Sequence, residues 1–378
     1  MMERIRRSLV RIGAMAAKET LHIRRDPRTL YLALVMPVVM LFLFGYGVSF
    51  DLDRIPLAVA DRDRTEASRA LVDAVTASRE LVKVAEVSAA EDAPALFRAG
   101  RVLGVLAIPR GYEKDVLQGK RTRVQLLVDG ADSVSANQLL TKADALVRAE
   151  TRRLAGPGLA DRAPPLQVKV WTRYNPAGRS ALFMVPGLAA YLLAISAVLL
   201  TALTVAGEWE RGSMEQLFAS PVGRLEIVLG KLLPFLVLGM VELLLVLAFG
   251  MFAFDVPVRG SATLLFVLGF FFLCGMLGQG LFISVVAKNQ LVATQAGALS
   301  ALLPSLLLSG MVFPIENMPL PLQLLSRIIP ARYLVHALRG ILLKGNGIDV
   351  LWPDLVAQIL FAVLVLGVAT ARFQRRIA

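Results

Sequence analysis

Long apolar runs separated by short charged connectors fill most of the chain, and one long polar stretch interrupts them after the first run. A run of about 20 apolar residues crosses roughly 30 Å of hydrocarbon as a helix. Six segments reach that length, near residues 29–50, 180–206, 226–254, 262–287, 291–311 and 354–372. The predicted fold class is an α-helical polytopic membrane protein, with six transmembrane helices plus an α/β extracytoplasmic domain inserted between spans 1 and 2.

Ahead of the first span, residues 1–28 carry the pattern of an amphipathic interfacial helix. Arg4, Arg7, Arg11, Lys18 and Arg25 share one side of a helical wheel, while Ile5, Leu9, Ile12, Ala16 and Ile23 gather on another. Such a helix is expected at the headgroup surface, and Asp26-Pro27 ends it. The run at 29–50 follows this basic stretch as a signal peptide would. Its apolar length is too great, however, and no small-residue cleavage pattern follows Tyr46, so it reads as an uncleaved anchor.

The insert at 51–178 has near-balanced charge, with 20 Lys/Arg against 17 Asp/Glu. Strand-like runs occur at 55–60, 102–108, 124–128 and 168–171, with helical patterns at 66–78, 91–99 and 135–154. Alternating strands and helices predict a small α/β domain, large enough to bury its own core. Gly156-Pro157-Gly158 and Pro164-Pro165 mark a loop before the chain returns to the membrane. The membrane domain then occupies 179–378. Within it, 312–353 reads as an external, re-entrant-like loop: prolines break it, and 322–329 and 333–343 look like short amphipathic helices needing shielding by protein at membrane depth.

Composition agrees, with 56% hydrophobic residues in 378. The net charge of +12 would suggest nucleic acid as a partner in a soluble protein, but its placement argues for membrane orientation instead. Before the first span stand eight Lys/Arg against Glu3, Glu19 and Asp26, which predicts a cytoplasmic N-terminus. Six spans return the C-terminus, with Arg372, Arg375 and Arg376, to the same side. One tension remains, because the external loop carries Arg327, Arg332, Arg339 and Lys344 against Glu316 and Asp349. A single cysteine, Cys274, leaves no internal disulfide and reads as a small buried hydrophobe.

Catalytic chemistry is thin. His22 and His336 have no metal-ligand partner at usable spacing, and the stretch from Gly223 to Lys231 has the wrong spacing for a phosphate-binding loop. The chain is therefore not expected to be an enzyme, to hold a metal or cofactor, or to hydrolyse ATP itself. Lys231 and Asp255 fall near span ends, where snorkelling or exposure accounts for them. Glu242 falls near the middle of the third span, where an ionisable group is costly and normally faces a cavity or partner. It is either a substrate or proton contact or a carboxyl hydrogen-bonded to a neighbouring helix for packing. The connector at 208–220 places Glu208, Glu210, Arg211, Glu215 and Gln216 on a charged face and Trp209, Met214, Leu217 and Phe218 on an apolar one. An acidic, aromatic helix of this kind suits a groove on a partner.

Glu208 to Leu217 (EWERGSMEQL), with Ser220-Pro221 and Gly230-Lys231, resembles the E-[RK]-G-[ST]-x-E-x-L stretch of the ABC-2 type permeases. The stretch Ser309 to Pro319 (SGMVFPIENMP), followed by Ile329 to Tyr333, Leu338 to Gly340 and Lys344-Gly345, is similar as well. Both point to the multidrug-efflux-like subgroup with a large extracytoplasmic domain, and Trp209 and Ser213 depart modestly from the pattern. The resemblance implies a half-transporter in a bacterial inner (plasma) membrane. It would move hydrophobic or amphipathic compounds, drug- or lipid-like, outward. A separate cytosolic ABC ATPase would bind ATP and Mg and would engage Glu208, Trp209, Glu210, Arg211, Met214, Glu215, Gln216 and Leu217. A second permease copy, identical or paralogous, and a periplasmic membrane-fusion protein are implied partners, alongside the lipid bilayer. Two other classes compete: an ion-coupled secondary transporter using Glu242, which calls for an internal repeat that is not visible, and a membrane sensor, against which the acidic inner lever argues.

Overall fold

The computed structural model describes residues 2–47, 55–77, 81–99, 101–118, 124–129, 139–140, 180–214 and 221–373. The chain divides into two compact units, Met1–Ser49 with Arg173–Ala378, and Phe50–Thr172.

The inserted unit contains a four-stranded sheet in the order β2-β1-β3-β4, formed by β1 (Ile55–Asp61), β2 (Leu81–Glu86), β3 (Gly104–Ile108) and β4 (Gln125–Val128). β1 pairs in parallel with β2 and β3, and β3 pairs antiparallel with β4. Strand alternation divides the apolar residues between two faces. Leu57 and Val59 join Leu71, Val75 and Ile108 on one side, while Ala58 and Ala60 join Ala93 and Val105 on the other. The helix Glu66–Thr76 starts in a capping box between Thr65 and Ser68. Asp63 links two loops by accepting backbone N–H bonds from Gly111 at 2.5 Å and Glu113 at 3.0 Å.

β2 escaped the sequence pattern. Lys83 and Glu86 interrupt its apolar run, and Val82 and Val84 point outward from an edge strand, so β1 pairing rather than composition makes it a strand. A 3-10 turn at Ala90–Asp92 precedes the helix Ala93–Arg98, and a further helix, Tyr112–Leu117, was not anticipated. The strand expected at 168–171 lies outside the described residues, as does the helix expected at 135–154 except for residues 139–140.

Among its described residues the membrane unit holds an N-terminal helix, Met2–Arg25, and six helices long and apolar enough to span a bilayer: Pro27–Tyr46, Ala181–Glu210, Arg224–Phe254, Ala262–Ala287, Gln290–Leu307 and Ile348–Arg372. The second span is the hub, with 72% of its most apolar window buried, against 22% for the first, fifth and sixth. Small residues let its neighbours approach, as is usual where lipid tails remove any hydrophobic preference for helix over solvent. A Cβ at Gly280 would lie 2.3 Å from the Val198 carbonyl oxygen, and one at Gly297 would lie 3.3 Å from Ala202. Hydroxyls fix the register: Thr201 Oγ1 donates to the Leu277 carbonyl at 2.9 Å, and Ser284 Oγ accepts from Ala206 N–H at 2.8 Å.

The second span runs four residues beyond its predicted end, to Glu210, so Glu208 and Trp209 form its last turn rather than the start of a separate connector helix. Gly212, at φ +70°, breaks the backbone there. The fifth span stops at Leu307, short of the expected 311. The sixth starts at Ile348, because Pro353 sits inside its early turns instead of before them. The protein-facing stripe of the N-terminal helix holds Met15, Glu19 and Ile23, whereas Leu9 is 63% exposed.

Between the fifth and sixth spans stand a 3-10 turn, Ile315–Asn317, and two helices, Leu320–Ser326 and Pro330–Arg339. The second helix buries Ala331, Leu334, Val335 and Leu338, packing on the second and sixth spans. Two of the four cations that strained the charge rule are committed to this fold. Arg339 donates to the carbonyls of Gly310 at 2.9 Å and Met311 at 3.1 Å and lies over the Phe183 ring, and Arg332 donates to Ser326 Oγ at 2.6 Å.

Gly280→Ala is expected to cost about 1–3 kcal/mol, because the new methyl would lie 2.2 Å from Thr201 Oγ1, a hydroxyl held by its own hydrogen bonds, and 2.3 Å from the Val198 carbonyl oxygen. Gly367→Ala, which meets nothing within 4 Å, should be close to neutral. Thermal unfolding of the two variants in detergent checks the contrast.

Candidate functional site

The last turn of the second span places Glu208 against the start of the third span and the N-terminal helix. Lys231 Nζ lies 2.8 Å from Glu19 Oε1 and 2.8 Å from Glu208 Oε2. Lys18 Nζ donates to the other Glu208 oxygen at 2.9 Å and lies 3.9 Å from Glu19. Lys231, Glu19 and Glu208 are 2%, 4% and 7% exposed. Two cations and two carboxylates thus neutralise one another where three elements meet. This corrects two expectations. Lys231 neither snorkels nor lies exposed, and Glu208 turns inward instead of contributing to an outward charged face. The N-terminal helix supplies partners far away in sequence, Lys18 190 residues from Glu208 and Glu19 212 residues from Lys231, which spacing does not reveal.

A second tie reinforces the first. Glu226 Oε2 accepts the Gly223 N–H at 2.7 Å and stands 3.6 Å from Arg11 of the N-terminal helix. Trp209 and Glu210 reach the turn into the fifth span. Lys288 Nζ sits 4.7 Å from the Trp209 ring centroid, a cation–π contact. Glu210 Oε1 accepts the Gln290 N–H at 2.8 Å, the first residue of that span. Met214 is 1% exposed, and Arg211 is exposed. Glu215, Gln216 and Leu217 lie outside the described residues.

Above this joint, a cavity of about 980 Å³ runs along the first and second spans, with a wall residue, Leu302, from the fifth. Charged groups of the joint close one end, and Met36, Met40, Phe44, Ile195 and Leu199 line its length. The sequence singled out none of this wall, because no apolar span residue differs in type from its lipid-facing neighbours. Glu242 is 1% exposed, and Ser196 Oγ donates to its carboxyl at 2.7 Å from either oxygen. Ser196 also lines the cavity, so Glu242 reaches it through one hydroxyl. Among the described residues no cation pairs with Glu242, and no group of His, Cys, Asp and Glu is arranged to hold a metal ion.

At the far end of the fold, His336 Nδ1 lies 2.8 Å from Asp354 Oδ2. That hydrogen bond raises the imidazole above its ordinary value, against partial burial, which lowers it.

A buried helix junction, a cavity beside it and six spans define a membrane transport subunit. The model of the ABC-2 family transporter proteins matches residues 28–371, and the chain belongs to that family. It is 33% identical over 368 residues to the "Probable multidrug ABC transporter permease YbhS" of Escherichia coli (strain K12), covering 97% of each protein. It is 27% identical over 367 residues to the "Probable multidrug ABC transporter permease YbhR" of the same organism, covering 97% of this chain and 99% of that protein. A shorter likeness, 30% over 185 residues, reaches the "ABC transporter G family member 20" of Dictyostelium discoideum, covering 49% of this chain and 25% of that protein. The chain is a multi-pass membrane permease component of an ABC transporter, and its family associates with an ABC ATPase.

Lys231→Met should destabilise the protein by about 3–5 kcal/mol, because it strands two buried carboxylates. Adding Glu19→Gln and Glu208→Gln should recover part of the loss, which a mutant cycle by thermal unfolding measures. The His336–Asp354 pair supplies stability that is fully present below the unfolded-state value of about 6.5. It is lost as pH rises through the raised folded-state value. Asp354→Asn should therefore destabilise more at about pH 6 than at about pH 9.

Proposed function

We propose that the chain is the membrane half of an ATP-driven exporter in a bacterial inner membrane, moving hydrophobic or amphipathic compounds outward, with both termini in the cytoplasm. The observation that carries this reading is the buried ion joint directly below the cavity. A cytosolic ATPase engages the connector through Glu210 and the stretch that continues through Glu215, Gln216 and Leu217. Because the last turn of the second span is tied by charge to the third span and the N-terminal helix, a push on the connector cannot move one helix alone. It displaces the cavity wall. The ATPase must bind the connector differently in its two nucleotide states for this to shift the population of inward- and outward-open forms.

Two permease chains, identical or paralogous, with two ATPase subunits complete the pump, and the insert at 51–178 offers a docking surface for a membrane-fusion protein outside. ATP and Mg belong to the partner subunit. The names of the YbhS and YbhR relatives support the drug-like side of this reading. A second reading, ion-coupled transport through Glu242, draws on its single-hydroxyl link to the cavity.

Purified without its ATPase, the chain should hydrolyse no ATP. With the ATPase, Glu215→Lys should abolish most ATP-dependent efflux while membrane insertion is unchanged. Undiminished efflux in that variant would contradict the lever. Glu242→Gln separates the two readings: efflux that still requires ATP but loses its dependence on a proton gradient supports ion coupling, whereas unchanged efflux across pH leaves Glu242 a packing contact.

A further inference from the structure

We propose that the cavity beside the first and second spans takes an anionic lipid, its headgroup at the charged end and its acyl chain along the apolar wall; that this lipid is cargo rests on the cavity being the transport path. The two spans run antiparallel, so the start of the first and the end of the second meet at one end of the cavity. There the lining holds four cations, Lys18, Arg28, Arg211 and Lys231, against three carboxylates, Glu19, Asp26 and Glu208, with His22 beside them.

The carboxylates are already occupied. Glu19 and Glu208 are held by Lys231 and Lys18. Asp26 accepts the Thr29 hydroxyl at 2.7 Å and the Arg28 N–H at 3.0 Å, and these bonds outweigh its slight burial and hold its carboxyl below the usual range. The guanidinium groups of Arg28 and Arg211, by contrast, are exposed, and among the described residues neither forms an ion pair. Two uncommitted guanidinium forks at one mouth match the oxygens of a phosphate diester, which guanidinium binds in bidentate fashion.

Away from that mouth the wall turns apolar. From Arg28 to Phe44 the first span rises about 24 Å at 1.5 Å per residue. One leaflet of hydrocarbon is roughly 15 Å deep, so an acyl chain fits along the wall with its phosphate at the basic end. A cationic amphiphile would set its charge against the same two guanidinium groups, and a zwitterionic headgroup would bring a quaternary ammonium to them.

The test is equilibrium titration of the full-length chain, delipidated in detergent, with a fluorescent-tailed phosphatidylglycerol, the same-tailed phosphatidylcholine and dodecyltrimethylammonium. Phosphatidylglycerol is expected to bind roughly tenfold more tightly than phosphatidylcholine. Arg28→Gln with Arg211→Gln should abolish the difference, and Arg28→Lys with Arg211→Lys should restore part of it. Equal affinity for the two lipids, or preference for the cation, overturns the proposal on the wild-type chain alone, whether or not the variants fold. Leu199→Trp, which fills the wall, separates this inference from the transport reading. Selective lipid binding lost in that variant with ATP-dependent efflux intact supports the lipid site and removes the transport path. Blocked efflux with no lipid selectivity in the wild type removes the lipid site and leaves the path.

Discussion

One ammonium group, Lys231 Nζ, held between the carboxylates of Glu19 and Glu208, sets what the membrane unit can do. A buried charge is tolerated only when it is paired, and breaking a buried pair costs more than the pair contributes. Lys231 has two partners on two other elements, and Lys18 balances the remaining carboxylate charge. The junction is therefore all or nothing: the N-terminal helix, the second span and the third span stay together or leave unpaired charge inside the protein. Arg11 with Glu226 repeats the tie two helical turns away.

The rest of the unit divides mechanically around that junction. Small residues and hydroxyls lock the second span to the fourth and fifth, with backbones too close to admit a methyl at Gly280. The first span is less constrained. Only 22% of its apolar window is buried, it carries a π-helical turn at Tyr31–Val35, and it forms one wall of the cavity. π-Turns mark places where a helix departs from regular hydrogen bonding, often at functional sites. A tightly packed block facing a loosely held first span, with charge at one end, is an arrangement that lets a small displacement change the cavity without repacking a core.

Much of this was legible in the sequence, for a physical reason. Length and apolarity are imposed by the bilayer, so all six spans could be found from runs of residues, and the fourth was placed to the residue. Strands with continuous apolar runs, β1, β3 and β4, were legible in the same way. β2 was not, because an edge strand draws its hydrogen bonds from its neighbour and needs no such run. Long-range charge pairing left no trace either. Glu208 and Lys231 each looked like ordinary interfacial charges, and only the fold brings them to 2.8 Å. Glu242 did stand out, since one carboxyl amid apolar neighbours is visible without any structure, though Ser196 as its partner was not.

The most direct test of the junction is distance measurement between paired spin labels, in a Cys274→Ala background, on the chain assembled with its ATPase. Labels at Thr20 and Leu225, both exposed, report the N-terminal helix against the third span. Labels at Leu32 and Leu303, also exposed, report the first span against the fifth, whose residues Leu32 and Leu302 line the cavity. A Thr20–Leu225 distance that holds constant between nucleotide-free and ATP-bound states, while the Leu32–Leu303 distance shifts, is the expected result. A Thr20–Leu225 distance that changes with nucleotide would show that the ion-paired elements move apart and would contradict a rigid junction.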